Sequence, residues 1–127
     1  MYKNLFLRED KVPVMKSFLF LESICCIRQE DITGKDFIYI QIVWGKPSIT
    51  LIGFIGAGET KQLQRSILLP NRPCRLELWI RDTIATNDRI GMIDLRKCNK
   101  EVAQEVIIKN DAACYKVGFR VIMKAKQ

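Results

Sequence analysis

Eight stretches of this chain carry apolar residues in strand-like runs, and turn-forming residues close each one. The clearest pair lies within Cys74 to Lys97. In Arg75-Leu76-Glu77-Leu78-Trp79-Ile80, the residues Leu76, Leu78 and Ile80 share one face, the period of two expected for a strand lying on a core. Asp82 to Asp88 then gathers Asp, Thr and Asn, which favour loops, and Ile90, Met92, Ile93 and Leu95 resume the apolar pattern, with Gly91 early in that strand. Val14 to Ile27 is long and nearly all apolar, as for a strand buried on both sides or at the centre of a sandwich. Its length would also admit a helix, but its β-branched and aromatic residues favour the strand. Phe37 to Trp44, Ser48 to Ile55, Glu59 to Leu69, Val102 to Ile108 and Cys114 to Met123 complete the set. In the last of these Val117, Phe119 and Val121 alternate with Lys116, Gly118 and Arg120. Gly34, Gly45-Lys46-Pro47, Gly56 to Gly58, Pro70-Asn71-Arg72-Pro73 and Asn110-Asp111 punctuate the series. The pattern predicts an all-β, eight-stranded antiparallel β-sandwich over residues 14–127, preceded by an N-terminal arm over residues 1–13.

A chain of 127 residues is long enough for one domain with a sizeable core. No apolar run approaches the ~20 residues that span a bilayer, and Ser17 to Leu21 is interrupted by Glu22 with no cleavage site after it, which argues against a secretory signal. The five cysteines are odd in number and lack C-x-x-C spacing. Cys25 and Cys26, adjacent on a strand, would point to opposite faces, so reduced thiols in a cytoplasmic protein are the expected state. The chain holds no histidine, and Gly56-Ala57-Gly58 stands without the rest of a phosphate-binding fingerprint, so neither a triad nor a nucleotide site is indicated. A catalytic function is not expected.

The segment Glu77-Leu78-Trp79, Asp82, Asn87-Asp88 and Gly91 resembles the strand and calcium loop of C2 domains, the eight-stranded sandwiches of protein kinase C and synaptotagmins. Ile32-Thr33-Gly34-Lys35-Asp36-Phe37-Ile38-Tyr39 is similar to that family's Gly, Ser-Asp-Pro-Tyr and following strand. The two motifs cover about a third of the chain. The resemblance implies a C2-like fold in which two loops at one end gather aspartates around calcium, an ion that wants six to eight oxygens. It places Asp36, Asp82 and Asp88 on family aspartates, with Glu30 or Asp31 near that of the first loop. One departure weighs against the ion. Directly after Trp79 the family carries a bidentate aspartate, and here the residue is Ile80. Arg81 and Arg89 flank the same loop, and a fixed charge ~8 Å from a divalent ion opposes it by roughly 4 kcal/mol at an effective dielectric of ~20. No cofactor is therefore expected, with weak calcium binding as the alternative. The bland reading of Asp82 and Asp88 is that each caps its own turn.

The net charge is +7, and it is uneven: residues 1–63 hold eight basic and seven acidic residues, residues 64–127 thirteen and seven. An acidic partner fits that excess, as does an ordinary solvated basic face. Lys61, Arg65, Arg75, Arg89, Arg96 and Lys97, with Arg72 and Lys100 nearby in sequence, are the candidates for a basic band. The resemblance implies that such a band binds anionic phospholipid, each cation near the surface contributing about 1 kcal/mol. In the matched loops Ile32 and Ile84 would be the tips that enter a bilayer. Trp79 is expected in the core, and Trp44 at a strand end. The reading is a non-catalytic, calcium-independent or weakly calcium-dependent module docking on anionic membranes, cytoplasmic and peripherally membrane-bound. A protein-interaction module on the same sandwich is the alternative. A nucleic-acid partner is disfavoured, because the aromatic residues lie within aliphatic strands and form no stacking platform. No small-molecule substrate is indicated.

Overall fold

The structure, a computed structural model, describes residues 15–45, 47–82, 86–98 and 100–125. The arm expected over residues 1–13 lies outside them, as does Ile84. Eight strands follow one another: β1 (Met15–Arg28), β2 (Asp36–Val43), β3 (Ser48–Ile55), β4 (Thr60–Leu68), β5 (Arg75–Ile80), β6 (Asp88–Asp94), β7 (Gln104–Lys109) and β8 (Cys114–Ala125). A 3₁₀ turn, Leu95–Lys97, follows β6, with the Asp94 side chain capping it through Arg96 N. The strands form two four-stranded sheets in the orders β4-β1-β8-β7 and β3-β2-β5-β6. Every named pair is antiparallel.

Alternation decides what faces inward. Ile38, Ile40 and Ile42 of β2, Leu76, Leu78 and Ile80 of β5, and Tyr115, Val117, Phe119 and Val121 of β8 are all buried between the sheets. Each fully buried side chain of this size contributes about 1.5–3 kcal/mol. β1 departs from the expectation for it. Only one of its faces is core, and the inward set changes phase, from Leu19 and Leu21 to Ile24 and Cys26. The register with both neighbours slips between Leu21 and Ser23, a bulge that keeps Ile24 and Cys26 inward. The facing stretch of β4 contains Gln64 at a φ of 49°, a left-handed value a strand interior rarely adopts. The outward face of β1 is apolar because Phe18 and Phe20 lie there, half-buried beneath Lys124 and Arg120.

Gly91 lies where β6 comes against β7 of the other sheet. A Cβ there would sit 2.7 Å from Cγ2 of Ile108, so no larger residue fits without moving β7.

Candidate functional site

The β1–β2 loop, residues 29–35, and the described ends of the β5–β6 loop, Arg81–Asp82 and Thr86–Asn87, meet at one end of the sandwich. Each is held by its own side chains. Asp31 Oδ1 accepts from Thr33 N at 2.9 Å and Thr33 Oγ1 at 3.1 Å, an Asx turn. Those Thr33 bonds hold its carboxyl below the ordinary value. Gln29 Nε2 donates to the carbonyls of Asp31 and Gly34. Across the end, Asn87 Oδ1 accepts from Asp82 N at 2.9 Å while its Nδ2 donates to Tyr39 Oη at 3.2 Å.

Asp36 is the centre of this end. It is 2% exposed, and three donors meet its carboxylate: Tyr115 Oη at 2.6 Å and Glu30 N at 2.8 Å on Oδ2, and Asp31 N at 2.9 Å on Oδ1. Tyr115 stands on the opposite sheet, so the bond ties the layers together. Burial, and then the bond to Asp36, push the phenol far above its ordinary pKa and keep it protonated. Glu30 is raised by burial and then by Asp88 beside it, with smaller contributions from Asp36 and Asp82. Glu30 is thus close enough to feel Asp36, Asp82 and Asp88.

Among the described residues no group of three or more His, Cys, Asp or Glu is placed to hold a metal ion. Asp36 is spent on the loop and on Tyr115, Asp31 is folded onto its own turn, and Ile80 points into the core at 6% exposure. Arg81 lies with its guanidinium 3.8 Å from the centre of the Phe37 ring. Ile32, at 96% exposure, stands out from the β1–β2 loop.

The other candidates are dispersed. Arg75 Nε and Arg89 Nη1 pair with Glu77 Oε2 at 2.7 and 3.1 Å. Trp79 Nε1 donates to Glu77 Oε1 at 3.0 Å. Burial raises the Glu77 carboxyl, yet these three partners outweigh it and hold the group below its ordinary value. Trp79 is therefore not a core residue. It faces outward, half-buried, stacked on Tyr39 with ring centres 6.1 Å apart, because its neighbours Leu78 and Ile80 take the inward face. Arg96 pairs with Asp94 at 3.3 Å. Lys97 belongs to the 3₁₀ turn, and its side chain lies outside the described residues. Lys61 and Arg65 stand on the inward side of the edge strand β4, opposite Ile24 and Leu21, and Arg65 Nη1 reaches the carbonyl of Leu51 on β3 at 2.8 Å. Trp44, with Arg72 4.9 Å from its ring centre, sits at the end of β2 remote from the acidic loops.

One surface was not singled out from the sequence. On the outer face of β3-β2-β5-β6, Ile49, Leu51, Phe54 and Met92 are 57%, 51%, 60% and 51% exposed. They stand in register with Gln41, Tyr39, Phe37 and Glu77 respectively. Arg75, Arg81 and Arg89 border them, with Arg65 at the β3 edge. The signal for it is the run Ser48-Ile49-Thr50-Leu51-Ile52-Gly53-Phe54-Ile55, apolar on both faces although β3 is an edge strand.

No protein-family model matches this chain, and no curated protein matches it. Solved structures do. A single C2 domain of plant Extended Synaptotagmin 1 superposes with a TM-score of 0.66 at 11% identity, over 92% of this chain and 99% of that one. Extended Synaptotagmin 2, in a structure of its paired C2 domains, gives 0.52 at 20% identity over 88% of this chain and 42% of that one. Human GIVD cytosolic phospholipase A2 gives 0.60 at 9% identity over 89% of this chain but only 17% of that one, so the enzyme's activity does not come with the match. Among the described residues no helix is long and apolar enough to cross a membrane. In strand number, sheet pairing and extent, this chain has the fold of a C2 domain.

Proposed function

We propose that this chain is a non-catalytic module that docks on anionic phospholipid membranes without needing calcium, through the outer face of the β3-β2-β5-β6 sheet. The observation that carries the reading is the exposed quartet Ile49, Leu51, Phe54 and Met92 on a face bordered by arginines. Burying the exposed half of each residue contributes about 1 kcal/mol, and each cation near an anionic surface about as much again. These terms work against the cost of association. Arg65, Arg75, Arg81 and Arg89 border this face, with Glu77 and Asp94 on it, four positive charges against two negative. The loop end offers the reverse, with Glu30, Asp31, Asp36, Asp82 and Asp88 repelling an anionic surface. The five cysteines are all free, in keeping with a cytoplasmic, peripheral protein. A protein partner is the second reading, favoured by the edge of β3, which among the described residues pairs with no further strand and carries no charged residue of its own.

Co-sedimentation with phosphatidylserine-containing vesicles tests the proposal, with chelator or with calcium, at low and moderate salt. Binding that ignores calcium and fades with salt is expected. The double substitution L51S/F54S is expected to weaken it by at least about tenfold. Binding that requires calcium, or that survives this double substitution, overturns the reading. Absence of binding under every condition leaves a protein partner on the same face.

A further inference from the structure

The opposite side of the sandwich carries a second cationic surface. On the outer face of β4-β1-β8-β7, β8 turns Lys116, Arg120 and Lys124 outward while Val117, Phe119 and Val121 fill the core. Register places Lys16 of β1 directly against Lys124, and Lys109 of β7 against Cys114. Among the described residues, the carboxylates on this face are Glu22, 2.7 Å from Arg120 Nη2, and Glu105, 4.0 Å from Lys116 Nζ. Five cations against two carboxylates leave +3. Lys16 and Lys124 form a like-charge cross-strand pair, which costs stability unless an anion lies between or above them. Arg120 is already paired with Glu22, so the lysines carry the excess. Apolar groups lie among the cations: Phe18 under Lys124 at 5.7 Å, Phe20 under Arg120 at 5.9 Å, and the exposed Leu68 and Ile107.

We propose that this face binds a second anionic phospholipid bilayer, so that one molecule bridges two membranes. The inference rests on the docking assigned above to the β3-β2-β5-β6 face, and it adds a separate surface to it. The cations spread over β1, β8 and β7, which suits a flat anionic surface better than a narrow acidic chain engaging one row. The two faces look in opposite directions. Their sheets lie ~10 Å apart, and outward side chains add to that separation. It exceeds the ~10 Å screening length at 0.1 M salt, so a charge removed from one face is barely felt at the other.

The test reads binding and bridging in the same samples, with phosphatidylserine-containing vesicles in chelator at about 0.1 M salt. Co-sedimentation of a variant lacking the second face reports the first face, and light scattering reports vesicle clustering. The wild-type chain is expected to do both, with clustering falling again at excess protein as each vesicle becomes coated. The triple substitution K16Q/K116Q/K124Q is expected to keep co-sedimentation within about twofold while weakening attachment of the second vesicle on the order of a hundredfold. Binding without clustering by the wild type overturns the bridge and leaves the first face standing. Clustering by the triple variant at the wild-type level also overturns it. Failure of the wild type to co-sediment overturns the docking reading itself. Soluble poly-glutamate bound by the wild type but not by the triple variant, with vesicles left dispersed, overturns the bilayer in favour of an acidic protein segment.

Discussion

Asp36→Ala isolates what the carboxylate at the loop end does. Three donors lose their acceptor together. The Tyr115 hydroxyl, on a residue with no exposure, cannot turn to water, and a buried donor left unpaired costs about 1–3 kcal/mol. The Glu30 amide is half-buried and takes the low end of that range, while the Asp31 amide lies in an exposed turn and rehydrates. The loss comes to about 2–4 kcal/mol, which for a domain of this size lowers Tm by roughly 7–18 °C. Tyr115→Phe alone leaves the carboxylate with its two amides and costs about 1–2 kcal/mol. In the Tyr115→Phe background the Asp36→Ala change no longer orphans a hydroxyl. The double variant should therefore fall short of the summed single losses by at least about 1 kcal/mol. Thermal and urea unfolding followed by circular dichroism, in chelator, measure all four proteins. An Asp36→Ala loss below about 1 kcal/mol, or additive single losses, refutes the reasoning.

Two further predictions follow from the same geometry. Gly91→Ala places a methyl where Ile108 already stands, and urea unfolding is expected to show a loss of about 1–3 kcal/mol at unchanged m-value. Glu30 is raised above its ordinary value of 4.5 by burial and then by Asp88, so its contribution to stability is complete below that value and is lost as pH rises through the raised one. Glu30→Gln should accordingly raise Tm at pH 7 by about 2 °C, and the gain should vanish near pH 4. A gain that persists there would show that Glu30 is not the titrating group.

Strand identity was legible because alternation and punctuation agree. Ser48–Ile55 and Arg75–Ile80 fall where the residues place them, and the remaining strands shift by a residue or two at their ends, β6 somewhat more. What stayed hidden depends on pairing. Nothing local to Leu21-Glu22-Ser23 announces the bulge that re-aims Ile24, since it arises from register with β4 and β8. Trp79 was a different kind of miss: alternation with Leu78 and Ile80 already turned it outward, and its apolar bulk argued for the core against that pattern. The basic candidates failed to form one band for the same reason that hid the bulge. Arg75 and Glu77 share a face at two-residue spacing, but Arg89 joins them only through the β5–β6 register. The alternation of Lys116 and Arg120 against Val117 and Phe119 was visible. Its meaning as a cationic face required knowing that β1 and β7 set Lys16 and Lys109 beside it.

The acidic loops show why a motif built on carboxylates need not imply an ion. A carboxylate in a folded chain must be satisfied, and calcium is only one way to do that. Here Asp36 is met by two backbone amides and a phenol, and Asp31 by the backbone amide and hydroxyl of Thr33. These bonds set the shape of the β1–β2 loop and fasten one sheet to the other, so removing the carboxylates would cost the fold whether or not a cation ever visits. Asp31 and Asp36 are committed to structure in this way, and the Ile80 side chain carries no oxygen. The negative charge they concentrate at that end leaves attraction for an anionic partner to the sheet faces, where the arginines and lysines stand.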